Sequence, residues 1–141
     1  MKHIKTVRRE VGDLGESLAC RYLESKGFSV LERNYLRKCG EIDIIVTDSQ
    51  NNIRFIEVKS KNVVISGFMG NNVKHETDSS GVRPEDNIHE RKVRSLIRII
   101  QLYLLEKRVS PETRWQFDAV IVYLDRITQK SHIRHLENII L

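Results

Sequence analysis

The stretch that decides the fold is Gly40-Glu41-Ile42-Asp43-Ile44-Ile45-Val46-Thr47, followed after a short polar segment by Ile53-Arg54-Phe55-Ile56-Glu57-Val58-Lys59-Ser60. Both halves are rich in β-branched residues and the second alternates apolar with polar, as strands do. Between them, Asp48-Ser49-Gln50-Asn51-Asn52 is turn chemistry. The pair therefore reads as an antiparallel hairpin. A turn at 48–52 sets opposite each other residues whose numbers sum to about 100, so Asp43 and Glu57 become cross-strand neighbours. Strict alternation puts Glu41, Asp43 and Ile45 on one face and Ile42, Ile44 and Val46 on the other. Glu57 and Lys59 share a face of the second strand, with Ile56 and Val58 opposite.

Outward from the hairpin, residues 9–26 read as a helix, with Leu14, Leu18, Ala19, Tyr22 and Leu23 at helical spacing and Gly27 as its stop. Residues 28–35 read as a strand and 36–40 as a basic turn. From 61 to about 84 no periodicity survives, and the stretch is expected to be a flexible loop. Pro84 and Glu85 then open a long helix to about 107, with Val93, Leu96, Ile97, Ile100, Tyr103 and Leu104 on one face. Residues 115–124 and 133–140 read as strands. The order predicts an α/β fold in which a central mixed β-sheet is flanked by α-helices, with 1–141 forming a single domain.

Composition narrows the class. At 141 residues, 40% hydrophobic and 30% charged, the chain is globular in character. No apolar run is long enough for a membrane span, and no apolar segment follows the basic N-terminus as a signal peptide requires. The two cysteines, Cys20 and Cys39, lack CxxC spacing, and reduced thiols in a cytoplasmic protein are the expectation. No phosphate-binding glycine loop is present, so ATP use is not expected. The net charge of +5 hides a pattern: residues 1–40 carry +4, 41–90 carry −4 and 91–141 carry +5. An acidic middle between basic flanks suits a carboxylate site served by a polyanion-binding surface.

Asp43 and Glu57 held together repel unless a positive group lies between them. A hard divalent cation such as Mg²⁺ needs only one or two protein carboxylates. Lys59 beside it could hold a water or neutralise a phosphate, and acid, acid, lysine and metal together suit phosphodiester hydrolysis. Taken alone, Glu57 and Lys59 read more plainly as a solvated ion pair. The apolar surroundings on both strands, where unpaired charge is costly, weigh against that. Glu16, at the margin of the first helix's apolar stripe, is an ordinary surface acid taken singly but could reach the same place.

The residues Gly12, Gly15-Glu16, Ala19, Tyr22-Leu23, Gly27, Arg33-Asn34, Gly40-Glu41-Ile42-Asp43-Ile44-Ile45, Phe55-Ile56-Glu57-Val58-Lys59, Arg83-Pro84-Glu85 with Lys92, and Phe117-Asp118 resemble the bacterial YraN family over about 9–124. That family is assigned to the PD-(D/E)xK nuclease superfamily and is distantly similar to archaeal Holliday junction resolvases. The resemblance implies a restriction-endonuclease-like core, a mixed sheet with a helix on each side. It implies that Asp43 and Glu57 bind Mg²⁺ or Mn²⁺, with the Val58 backbone carbonyl as a further ligand. Lys59 would be the catalytic lysine and Glu16 a helix-borne acid aiding the metal or the water, and Glu41 could also reach the cation. It suggests a place near the site for Lys92. The chain departs from the pattern in a longer, more polar 61–83 segment, in Lys61 where arginine is usual, and in Gln116 where a basic residue often precedes Phe-Asp.

Arg91, Arg94 and Arg98 recur along the second helix, and Arg33, Arg37 and Lys38 precede the acidic strand. Each reads singly as a solvated charge, but together they could track a nucleic-acid backbone. His132 and His135 fall on opposite faces of a strand and are structural or surface residues; Asp118 is either a buried paired acid or a site neighbour. The leading expectation is a metal-dependent endonuclease acting on DNA. Branched or structured DNA enters by analogy with resolvases, and a two-site resolvase would need a homodimer. The alternatives are a nucleic-acid-binding module that keeps the nuclease fold without cleaving, and a structural domain whose carboxylates pair with Lys59 and Lys61.

Overall fold

Five strands form one mixed sheet in the order in which they occur along the chain, β1 (Ser29–Arg37), β2 (Gly40–Thr47), β3 (Ile53–Val63), β4 (Trp115–Asp125) and β5 (Ser131–Leu136). A computed structural model describes residues 7–64 and 90–141, and the helices in it are α1 (Val7–Ser25) and α2 (Glu90–Glu106). Neighbouring strands pair antiparallel except β3 with β4, which are parallel and separated in sequence by α2. This is the α/β arrangement expected from the sequence, a central mixed sheet with a helix on each face. No helix among the described residues is long and apolar enough to cross a membrane.

The hairpin that decided the fold pairs as anticipated. Ile44 lies opposite Ile56, Ile45 opposite Phe55, and Thr47 opposite Ile53, all summing to 100. Asp48 closes the turn: its Oδ1 accepts the N–H groups of Gln50 (2.9 Å) and Asn52 (3.0 Å), while Asn51 takes a left-handed φ of 61°. Helix α1 ends where Gly27, at φ 92°, lets the Phe28 N–H reach back to the Leu23 carbonyl at 3.1 Å. Strand β3 runs three residues past the expected Ser60, because its parallel ladder with β4 continues to Val63 and Asp125. The expected loop at 61–84 therefore loses its first residues to the sheet, and its remainder from 65 lies outside the described residues, as does the expected helix start at Pro84.

Two apolar layers cover the sheet. On one face α2 places Leu96, Ile99, Ile100 and Tyr103 on Tyr35, Ile42, Ile45, Ile53, Phe55 and Phe117. On the other, α1 places Ala19, Cys20 and Leu23 on Ile44, Val46, Ile56, Val120 and Val122. Gly15 lets α1 approach β3 closely: a Cβ there would stand 1.7 Å from the Ser60 hydroxyl oxygen and 3.0 Å from its Cβ. Glu16, the next residue, is part-buried.

A polar hub lies beneath the far end of α1. Asp118, wholly buried, accepts hydrogen bonds from Arg54 Nη1 (3.2 Å), Gln116 Nε2 (2.8 Å) and the Asn138 N–H (2.8 Å), and meets His135 Nε2 at 2.8 Å. Arg54 also bonds Glu137 at 2.5 Å and lies 4.8 Å from the centre of the Phe28 ring. Asp118 is thus a buried, paired acid. Burial raises its pKa, but His135, the Asn138 N–H and Gln116 outweigh that and hold the carboxyl below its usual range. The hub also explains why β5 stops at Leu136 rather than at 140: Glu137 and Asn138 are captured by Arg54 and Asp118, and Ile139 turns to hydrogen-bond Phe117 O at 2.7 Å.

Two stability predictions follow from these contacts. Asp118→Ala removes the acid from a nearly buried Arg54, and a urea titration is expected to show a loss on the order of 3 kcal/mol; a loss under ~0.5 kcal/mol would refute the hub as a stability element. Gly15→Val overpacks the α1–β3 contact and is expected to cost about 1–3 kcal/mol. Adding Ser60→Gly should restore part of it, and a double variant no better than the single one would rule out the close approach as the cause.

Candidate active site

The chemistry-bearing residues gather where β2 and β3 part. The regular pairing ends at Ile44 and Ile56, and one step further the Val58 N–H donates to Asp43 Oδ2 at 2.7 Å. A side-chain carboxylate thus takes the place of a ladder carbonyl. The cause lies on β1. Arg33 is opposite Ile44 and Tyr35 opposite Ile42, which leaves Asn34 facing Asp43, and Asn34 is in the left-handed region at φ 52°. Asparagine is one of the few residues that takes this conformation readily. The kink breaks the alternation of faces. Arg33 meets Glu16 of α1 at 3.8 Å, while Tyr35 two residues on is packed under α2.

The expected assignment of Ile42 to the face of Ile44 and Val46 is therefore wrong: Ile42 packs with Ile45 and Tyr35 in the α2-side core, while Ile44 and Val46 remain under α1. Asp43 opens instead into a cleft of ≈ 430 Å³ on the α1 side, lined by Val11, Gly12, Glu16, Asp43, Val58, Ser60, Asn62 and Arg126. Glu16 and Asp43 are thereby brought together. The expected common face of Asp43 and Glu57 is not found: Glu57 is absent from that lining and forms an ion pair with Lys92 of α2. Lys59, half-buried two residues along β3, and Lys61 make no ion pair among the described residues, so the carboxylates do not pair with them as the structural-domain alternative requires.

The electrostatics tie the acids into one group. Burial pushes the Asp43 carboxyl up to about 7; the Val58 N–H opposes this, and the charges of Glu16, Glu57 and Glu41 reinforce it. Glu16 is raised as well, chiefly by burial, against a hydrogen bond from Asn34 and the charge of Arg33. The Asn34 amide nitrogen, in the orientation its neighbours dictate, donates to Glu16 Oε2 (3.0 Å) and Oε1 (3.3 Å) and to Glu41 Oε1 (3.3 Å). Asn34 is a positioning residue that sequence reasoning placed in a motif without a role. Crowded, part-buried acids with raised pKa values are the donor set that a hard divalent cation neutralises.

Among the described residues, the group that brings three ligand atoms within 4.8 Å of one another lies elsewhere: Asp118, His135 and Glu137. Its oxygen and nitrogen donors are of a kind that takes a divalent cation, but Arg54 already stands between the two carboxylates. Of the basic residues singled out in the sequence, Arg33 pairs with Glu16, Arg37 is held by Glu106 through Nε (3.1 Å) and Nη2 (2.9 Å), and Arg94 lies 4.0 Å from Glu90. Lys38, Arg91 and Arg98 are exposed and unpaired among the described residues. Arg126, Ser60 and Asn62 were missed, since an isolated arginine in a turn and polar residues late in a strand carry no sequence signal.

Comparison with known proteins places the chain. Over 131 residues it is 30% identical to a UPF0102 protein of Desulforamulus reducens, covering 93% of this chain and 95% of that one. It is 32% identical over 130 residues to a UPF0102 protein of Clostridium botulinum (92% and 93% covered) and 32% over 132 residues to one of Alkaliphilus oremlandii (94% and 98%). Among solved structures it matches a chain of one described as "Structure of EndoMS-dsDNA2 complex", with TM-score 0.33, 13% identity, and coverage of 73% of this chain and 34% of that chain. The family model of Uncharacterised protein family UPF0102 matches residues 15–122, and the chain belongs to that family, the one called YraN above.

Proposed function

We propose that this protein is a metal-dependent endonuclease that hydrolyses phosphodiester bonds in DNA. The observation that supports this best is the convergence of Glu16, Asp43 and Glu41 with the charge of Glu57 at the break between β2 and β3, where Asp43 is pushed up to about 7 and makes no ion pair among the described residues. Asp43 and the Val58 carbonyl would hold Mg²⁺ or Mn²⁺, with Glu16 or Glu41 as a further acid, and Glu57 would join them on leaving Lys92. Bound there, the ion supplies an activated water and neutralises charge on the phosphate. Lys59 neutralises charge developing on the phosphate, and Glu16 and Asn34 orient the water-side acids. Lys38, Arg91 and Arg98 are among the exposed cations available to the backbone of the substrate. Branched DNA cut by a homodimer is the finer form of this reading.

One observation favours the second reading, a nucleic-acid-binding module that does not cleave: Glu57 is already engaged by Lys92. The two are separated by incubating the protein with linear, nicked, flapped and four-way DNA in Mg²⁺ or Mn²⁺. Cleavage is expected, and Glu57→Ala and Lys59→Ala should each lower its rate by about 10²-fold or more. Binding without cleavage on every substrate establishes the module, and equal rates in the variants would mean a contaminating nuclease.

The Asp43 carboxyl gives a second test. Its folded pKa of about 7 lies above the unfolded value of 3.8, so its contribution to stability is fully present below about pH 4 and is lost as pH rises toward 7. The difference corresponds to about 4 kcal/mol at most. In EDTA, Asp43→Asn is expected to be more stable than the parent at about pH 8 and to lose this slope between about pH 5 and 7. Mg²⁺ should raise the melting temperature of the parent at about pH 8 and leave that of Asp43→Asn unchanged. Parallel pH profiles for the two proteins would contradict a buried, cation-seeking acid.

A further inference from the structure

The cleft beside Glu16 and Asp43 has a second wall that the carboxylates do not explain. Ser60 and Asn62 occupy alternate positions of β3 at its C-terminal end, opposite Val122 and Leu124 of β4. Arg126 follows the last residue of β4, and its N–H donates to the Val63 carbonyl at 3.1 Å. All three residues line the same cleft as the two acids. None of their side chains has a hydrogen-bond or ion-pair partner among the described residues, although Glu16 and Asp43 line the same cleft.

The turn that carries Arg126 is firmly built. The buried Asp125 carboxylate accepts from the Ile127 N–H (2.9 Å) and from Thr128 Oγ1 (2.8 Å), and the Asp125 N–H reaches the Lys130 carbonyl at 2.9 Å. An arginine held at its backbone but left unpaired in a cleft with a serine hydroxyl and an asparagine amide presents donors to an anion. A planar guanidinium matches two phosphate oxygens, and hydroxyl and amide groups are the usual partners of phosphate and sugar. The volume of ≈ 430 Å³ admits a group of nucleotide size.

We propose that Ser60, Asn62 and Arg126 form the phosphate-contacting wall of this cleft and hold the sugar–phosphate backbone of nucleic acid against Glu16 and Asp43. The proposal rests on the nuclease reading for the identity of its ligand. It is tested by fluorescence anisotropy of a labelled DNA duplex in Ca²⁺ buffer over a range of salt. Arg126→Gln is expected to weaken binding about tenfold at low salt and to make the plot of log K against log salt shallower by about one. Arg126→Lys should keep the slope and lose part of the affinity, and Asn62→Ala should weaken binding about threefold. Arg21→Gln, which removes an exposed charge from α1, should have a smaller effect than Arg126→Gln. Thermal melting checks folding, and Arg126→Lys and Asn62→Ala carry the test if Arg126→Gln fails to fold. The proposal is overturned if Arg126→Gln binds as the parent does, if Arg21→Gln costs as much, or if the parent binds no DNA. Cleavage by the parent together with normal binding by Arg126→Gln would sink the wall and leave the nuclease. A clear Arg126 effect without cleavage of any substrate would sink the nuclease and leave the wall.

Discussion

The hydrogen bond from the Val58 N–H to the Asp43 carboxylate is the constraint around which the site is arranged. It ends the β2–β3 ladder without leaving a donor unsatisfied, and it fixes a carboxylate among buried groups where a charge is costly. A single donor lowers the Asp43 pKa, yet burial and three neighbouring acids push it further the other way. The protein thus keeps an acid that its own groups do not neutralise. Such a group is poor structural material and good ligand material, which is why the site is placed here rather than at the cluster around the fully partnered Asp118.

The contrast with that cluster is instructive because both acids lie under α1. At the C-terminal end of the helix, Asp118 has Arg54, Gln116, His135 and the Asn138 N–H, and its pKa falls. At the N-terminal end, Asp43 has one backbone donor and like charges, and its pKa rises. Burial acts in the same direction on both. The difference lies in the partners: four donors complete one carboxylate and leave no room for a ligand, while the other stays open to a cleft. The triad of Asp118, His135 and Glu137 has suitable donor atoms for a metal, but Arg54 already supplies the positive charge that an ion would bring.

Much of this was legible in the sequence, and the parts that were not share a physical reason. The hairpin register could be read because a short Asx-closed turn fixes pairing, and Ile44 does lie opposite Ile56. Both helices followed from apolar spacing, and Gly27 from the need for a left-handed stop. The faces of Ile42 and Asp43 could not be read, because the break in alternation comes from Asn34 on a different strand, where one left-handed residue leaves the period of its own strand's letters intact. Nothing in the alternation of β3 marks Arg54 as a buried partner; its burial depends on Asp118 and Glu137, more than sixty residues away. The end of β5 was misread for the same reason, since only the hub draws Glu137 and Asn138 off the sheet.

The opening charge pattern takes on a different meaning once the pairs are known. Arg33 and Arg37, in the basic flank before the acidic strand, answer acids within the fold: Glu16 for one and Glu106 for the other. They position the site and brace the α2 layer through the ring of Tyr35, which the Arg37 guanidinium covers at 4.2 Å. Their charge is therefore partly cancelled where a polyanion would approach. Among the cations that stay available are Arg91 and Arg98 on α2 and Arg126 in the β4–β5 turn, on opposite layers of the sheet. A backbone that reaches the break between β2 and β3 must approach it from one layer or the other. The cleft shared by Glu16, Asp43 and Arg126 makes the α1 side the one where an unpaired cation and the open carboxylates occupy the same space. On the α2 side Glu57 is already answered by Lys92, so an incoming phosphate finds the acid closed there and open here.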